Sequence, residues 1–457
     1  MLTHQGDLAT ARESACKKAF WRVVPVLFLS YVFCSMDRYN IAFAQLQLRE
    51  ARHMSDSVYG LGASLFFVTY VLFAVPVNLL LKRWGARRLF FLIMLGWGLC
   101  STSMLFIRTP AEFYLGRLAL GAFEAGFYPG VIYYLATWFP QDRRSKAFAV
   151  FTSGVTVAGV IVGPLSGWIM TKFDSAAGLA GWQWVFLLEG VPSCVMSLAC
   201  LVLLRRGPAD APWLSEEERH ALCNTLERER SEEHATQGGR AIVSLLRDSR
   251  IYLFALVYFC AVSGIYALGF WVPAIIKSYG VVTPLAIGLY SVIPWGLAAI
   301  GTILISRHSD RVQERRWHFS VVIFAGAAAL ALSTIPHLNF PTAMLLLSIG
   351  AISVTSSSPL FWAMPTALLS AQSAAGGVAI INCLAVTSGI VMPFAVGLLK
   401  EMTGSFSPGL WLLAGTLCCG ALILLAIVPG PERKRTQDYL MQSVGHPPSV
   451  TQTAEEG

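Results

Sequence analysis

The chain has 457 residues, 55% of them apolar and only 13% charged, with a formal net charge of +8. Soluble domains carry roughly a quarter charged residues, so this much apolar side chain, spread over the whole length, cannot be hidden from water. The same figures exclude disordered, collagen-like and small disulfide-stapled classes, and the chain reads as an all-α membrane protein.

Apolar runs of about 20 residues, each enough for one ~30 Å crossing, fall at 21–44, 59–81, 89–107, 110–139, 145–171, 184–204, 251–277, 283–305, 317–335, 341–365, 374–399 and 408–429. That predicts twelve transmembrane helices. The first run leads straight into Asp37-Arg38 with no small-residue cleavage site, so it reads as a retained helix and not a signal peptide. Asp37 lies 16 residues after Trp21, about 24 Å along a helix. In the fourth run Arg117 lies seven residues after Pro110, about 10 Å from the opposite face, and Glu124 returns to the same side seven residues later.

A charge inside a bilayer costs at least ~2.5–3.5 kcal/mol and needs a reason. Two acids and two arginines sum to zero, so a static ion-pair network is one reading of Asp37, Arg38, Arg117 and Glu124. The functional reading is a proton and anion site. Asp37 is expected to pair with Arg117, Glu124 to carry the coupling proton, and Arg38 to bind an anionic substrate through its planar fork.

Further along, Gly159, Gly163 and Gly167 form a small-residue strip beside Pro164, suited to close helix packing or to a hinge. Glu189 is expected to snorkel or cap near the end of the sixth helix, with an outer gate as the alternative. Residues 205–250 form the long polar break, in which Ser215 and Glu218 have capping-box spacing and start a charged helix to about Arg230. His234–Arg240 reads as a tether.

Of the 34 Lys and Arg, 26 fall in the tails and the loops on the N-terminal side, six (Arg49, Arg52, Arg108, Lys172, Lys277, Lys400) on the opposite side and two within helices. This split makes the basic side cytoplasmic and explains the net charge without a nucleic-acid partner. A shift of 228 places Arg22, Arg83, Arg87 and Arg88 on Arg250, Arg311, Arg315 and Arg316, and a shift of 229 places Gly121 and Pro164 on Gly350 and Pro393. The halves therefore read as parallel repeats with a site between them. The same offset sets Asp37 and Arg38 against Ile265 and Tyr266 and sets Arg117 and Glu124 against apolar residues, so the intramembrane charge lies in the N-terminal half, while the C-terminal half offers Tyr258, Tyr266, Trp271, Trp295, Trp362 and Asn382. Eight of the ten cysteines lie inside expected helices, without metal-ligand spacing, and read as packing residues. No nucleotide-binding loop or His-Glu-x-x-His pair is present, and neither a cofactor nor a metal is expected.

Several stretches resemble the anion:cation symporter family of the major facilitator superfamily. They are Met36-Asp37-Arg38-Tyr39-Asn40-Ile41-Ala42-Phe43-Ala44, Leu115-Gly116-Arg117 through Glu124-Ala125-Gly126-Phe127-Tyr128-Pro129-Gly130, Gly181-Trp182-Gln183-Trp184 through Glu189-Gly190, and Ser309-Asp310-Arg311 with Arg315-Arg316-Trp317. The wording of helices two to six is most similar to tartrate and hydroxyphenylacetate permeases. The resemblance implies twelve helices in two pseudo-symmetric six-helix bundles and proton-coupled import of a small aromatic or hydroxylated carboxylate by alternating access. It implies proton and substrate roles for Asp37, Arg38, Arg117 and Glu124, and a substrate-lining role for Tyr70. Asn382 is a weaker match, since the chain leaves the family's glycine-rich pattern at Cys383–Gly389, and Lys82 stands where the superfamily often has Asp. Trp362 is added as a candidate substrate contact from the residues alone.

The expected division is a cytoplasmic tail (1–20), a six-helix bundle (21–204), a cytoplasmic linker (205–250), a second bundle (251–429) and a cytoplasmic tail (430–457). The chain is expected to act as a monomer in a bacterial inner membrane. Anion exchange or efflux on the same fold is the alternative, because the Gly-Pro strip of the fifth helix resembles an antiporter motif. A non-transporting receptor is a third reading.

Overall fold

The computed structural model describes residues 2–236, 248–368 and 371–428, and among these every regular element is helical. The first expected crossing is met by α1 (Leu2–Tyr39) and α2 (Ile41–Ala51), which run on across Asn40, whose carbonyl still accepts from Phe43 and Ala44 amides. Helix α1 thus begins far earlier than the apolar run and includes residues read as tail. Then follow α3 (Asp56–Trp84) and α4 (Ala86–Ser103). The 110–139 run is two helices, α5 (Pro110–Glu124) and α6 (Phe127–Trp138). Pro129 explains the break, because it has no N–H for the Ala125 carbonyl one turn back and its ring crowds that oxygen.

Helices α7 (Gln141–Lys172) and α8 (Gly181–Leu203) complete the first half. After α9 (Glu216–Thr236) the second half comprises α10 (Ser249–Ser278), α11 (Pro284–Val312), α12 (Arg316–Leu332) and α13 (Phe340–Leu368). It closes with α14 (Ala371–Val386), α15 (Ser388–Thr403) and α16 (Ser407–Ile427). The eleventh crossing is divided near Thr387, so α14 and α15 share one run as α5 and α6 do.

Two seams join the halves, α3 against α15 and α7 against α11. In lipid, helices gain little from the hydrophobic effect and rely on close approach of small residues. A methyl at Gly60 would stand 2.7 Å from the Pro393 carbonyl oxygen, and one at Gly163 2.7 Å from that of Gly288. Gly60 and Gly288 are themselves 228 apart, and Pro164 and Pro393 229 apart, so the sequence repeat places equivalent residues in both seams. Gly167 also meets the partner half, at the Pro284 carbonyl, whereas Gly159 has open space around it. The strip is therefore two seam residues and one that packs nothing.

The side-chain ties between halves gather on the face opposite the basic loops. Gln45 Nε2 and Tyr59 OH both donate to the Phe270 carbonyl, at 2.9 and 3.0 Å. Lys277 pairs with Glu50 at 2.5 Å and Lys400 with Asp56 at 2.9 Å, and the Phe394 amide donates to Ser64 Oγ at 3.1 Å. On the basic face Arg12–Asp142 and Arg315–Asp310 each stay within one half. The halves are sealed on the far face.

Helix α9 is docked on the first half. Its expected capping box is formed, with the Glu218 amide donating to Ser215 Oγ and the Ser215 amide to Glu218 Oε2, but it runs to Thr236 and not Arg230. The rest of the expected tether, 237–240, lies outside the described residues. Glu218 also accepts from Ser14 and Lys18, Glu229 faces Arg144, and Trp213 stacks on Trp138 with centroids 5.5 Å apart.

Candidate functional site

The end of α1 and the middle of α5 bring their charges together between the halves. Arg38 Nη2 and Nε donate to a single Glu124 oxygen, Oε2, at 2.7 and 3.1 Å, and Cys34 Sγ lies 3.5 Å from the same atom. The guanidinium of Arg38 lies 5.2 Å from the centroid of Phe66 and 5.3 Å from that of Tyr70, two rings that stack on each other. Arg117 shares Phe66, at 4.9 Å, and is covered from the other half by Phe270 at 5.7 Å. One aromatic ring thus contacts two guanidinium groups, an arrangement that uses its negative face to hold cations in a dry site.

The two arginines differ in access. Arg38 keeps 15% of its side chain exposed, whereas Arg117 is fully buried. Arg117 Nε donates to the Gly62 carbonyl at 3.3 Å, but Nη1 and Nη2 have no partner among the described residues. Glu124 Oε1 and both amide atoms of Asn40 are likewise unpartnered. Buried polar atoms without partners are uncommon, and here five are carried by Asn40, just past α1, and by Arg117 and Glu124 of α5.

The expected pairing of Asp37 with Arg117 is not formed. Asp37 faces into the first half, where Ser101 Oγ donates to Oδ1 at 2.6 Å and Ser193 Oγ to Oδ2. Adjacent residues on a helix point about 100° apart, so Asp37 and Arg38 cannot serve the same neighbour. Glu189 neither snorkels nor caps. It is 2% exposed and accepts from Ser166 Oγ at 2.6 Å, one turn from the Ser193 that serves Asp37.

Among the remaining candidates, Tyr70 is packed beside Arg38 as described. Trp362 Nε1 donates to Tyr258 OH at 3.2 Å, and that hydroxyl also meets Ser358 at 3.2 Å, so Trp362 belongs to a polar chain in the second half. Asn382 is exposed on α14. Trp271 is a far-face packing residue whose indole donates to the Pro393 carbonyl.

Sequence reasoning missed Phe66, Phe270, Ser101 and Ser193. Spacing carried no signal for the serines: Ser197 and Ser263, in similar apolar helices, merely bond carbonyls of their own helix.

The model of the Major Facilitator Superfamily matches residues 27–393, and the chain belongs to that superfamily. It is a multi-pass membrane transport protein and not an enzyme, resembling the tartrate-type permeases. A putative tartrate transporter of Agrobacterium vitis is 39% identical over 90% of this chain and 94% of its own length. A quinolone resistance transporter of Acinetobacter baumannii is 37% identical over 92% and 96%. Among solved structures, a D-xylose-proton symporter superposes with a TM-score of 0.69 over 90% of this chain and 98% of its own, at 14% identity, and so shares the fold.

Proposed function

We propose that the chain imports a small aromatic or hydroxylated carboxylate together with protons, by alternating access, as a monomer in a bacterial inner membrane. The basic face is taken as cytoplasmic, by the excess of Lys and Arg there. The proposed working units are the residue 21–204 and 251–429 bundles, with the two tails and the 205–250 linker on the cytoplasmic side. The observation that carries the reading is the Arg38–Glu124 pair beside Arg117, a buried guanidinium with two unpartnered nitrogens.

A carboxylate ligand and Glu124 compete for the same kind of partner. When the anion engages Arg38, Glu124 loses its counter-ion and takes up a proton, so anion and proton travel together. Arg117 is roofed by Phe270 of the second half, and parting of the far-face seal would lift that roof. This favours Arg117 as first contact from outside and Arg38, the more open of the two, as the last before release. Asp37 holds a second carboxyl with serine partners only, suited to carrying a proton. Tyr70 flanks the Arg38 subsite, and Trp362 and Asn382 are proposed to contact the substrate from the second half.

The test uses purified protein in liposomes with labelled tartrate and 4-hydroxyphenylacetate. Glu124→Gln is expected to keep counterflow exchange but to lose accumulation driven by a pH gradient. Full pH-driven accumulation by that variant would overturn the assignment.

Efflux or anion exchange is the second reading, favoured by the 37% identity to the quinolone resistance transporter and by the Gly163-Pro164 seam in α7. An exchanger requires substrate on the opposite side, and an importer of the proposed kind accumulates on a pH gradient alone.

A further inference from the structure

Lys and Arg are scarce on the far face, yet three of the six assigned there meet in one place. A cavity of about 330 Å³ opens over the line where the halves join. Its wall takes Arg49 and Glu50 from α2, Lys277 and Ser278 from the end of α10, and Lys400 from α15. Asp56 reaches Arg49 Nη1 at 2.6 Å and Lys400 Nζ at 2.9 Å, and Glu50 reaches Lys277. Glu401, next to Lys400, accepts from the Ser57 amide at 2.8 Å. Of the charged residues that line this concave site, contributed by both halves, three are cationic and only Glu50 is anionic, since Asp56 and Glu401 are not part of the lining.

From this convergence of Arg49, Lys277 and Lys400 we infer that the far-face cavity is a docking site for a small organic carboxylate, distinct from the buried arginine site. The inference rests on the carboxylate reading above and extends it to the entrance. The volume accommodates a ligand of a dozen or so heavy atoms, and converging ammonium and guanidinium groups suit a carboxylate. Lys277 and Lys400 are also the groups that tie the halves together. An anion that draws either one away frees Glu50 or Asp56 from its tie, so docking loosens the seal through which the ligand must pass. A simple latch would make no distinction between the two members of a tie, whereas a docking site does. Removing Lys277 weakens capture, and removing Glu50 strengthens it.

The test places a thiol at Ser278→Cys, with unlabelled parent protein as control for the native cysteines. Reaction with an anionic methanethiosulfonate is compared with that of a cationic one, from the far face. Lys277→Gln is expected to lower the anionic-to-cationic rate ratio by about threefold or more at low ionic strength, and Glu50→Gln to raise it. Tartrate should protect the thiol from the anionic reagent, and Lys277→Arg should restore the parent ratio. In transport, Lys277→Gln should raise the KM for tartrate and Glu50→Gln lower it. If both substitutions move KM in the same direction, or if tartrate gives no protection, the docking site is refuted and only a latch remains. The labelling ratio needs no transport. A parent protein that carries no carboxylate would overturn the proposed function while leaving the cavity to be judged by its own readout.

Discussion

Replacing Gly163 by Ala tests the seam between halves, with Gly159→Ala as the matched control. An alanine methyl at 163 would stand 2.7 Å from the Gly288 carbonyl oxygen and 3.1 Å from the Phe43 ring, against an ordinary lower limit of 3.4 Å. The obstacle is backbone, so no rotamer relieves it and α7 and α11 must separate by more than half an ångström. Overpacking of this kind costs about 1–3 kcal/mol. The clash exists only while the far face is closed, so the whole cost enters the equilibrium between closed and open states, a shift of about 5- to 150-fold. Gly159→Ala has nothing within 4 Å to meet and brings the same gain in helix propensity, about 1 kcal/mol, which cancels in the comparison. Spin labels at Arg108→Cys and Val282→Cys, on far-face loops of the two halves, measure the outcome as a distance distribution. Gly163→Ala is expected to move population to longer distances, with Gly159→Ala matching the parent. Identical distributions for the two variants would refute the argument that this glycine contact holds the far face shut.

Two further outcomes can be checked more simply. Ser193→Ala removes one of the two hydroxyl donors of buried Asp37 and should cost about 1–3 kcal/mol, read as a lower Tm of the purified protein. Ser197→Ala, which removes only a bond to the helix's own Cys194 carbonyl, should be nearly silent. Docking of α9 should tolerate acid. Partial burial raises the Glu218 carboxyl, but hydrogen bonds from Lys18, Ser14 and the Ser215 amide outweigh it and hold it down at about 2. A folded value below the unfolded one, about 4.3, stabilises fully above that pH and is lost as pH falls through about 2. A spin label at Glu217→Cys should therefore stay immobile from pH 7 to 4, and Glu218→Gln should mobilise it at all pH values.

Much of the architecture was legible because lipid imposes a simple requirement: a run of apolar residues long enough to cross. All twelve runs meet helices, and the 228-residue offset reappears in three dimensions at Gly60 and Gly288. The break at Ala125–Gly126 was readable in principle from Pro129. What could not be read was direction around a helix axis. The four intramembrane charges were identified, but Asp37 and Arg38 diverge, so the expected Asp37–Arg117 pair gave way to Arg38–Glu124 and to serine partners for Asp37. Phe66 and Phe270 escaped notice because an aromatic that contacts a cation has the same spacing as one that packs lipid or core.

The attachment of α9 has a practical consequence for anyone seeking to follow this molecule at work. Because Glu218, Glu229 and Trp213 fasten that helix to the first half, the basic face presents a rigid ledge that moves as one with α1 and α6–α7. A binding protein raised against that ledge would add mass and a fiducial shape for imaging without bridging the parts that must separate. One raised across Glu50 and Lys277 on the opposite face would span both halves, and would arrest the cycle by the same contact that made it visible.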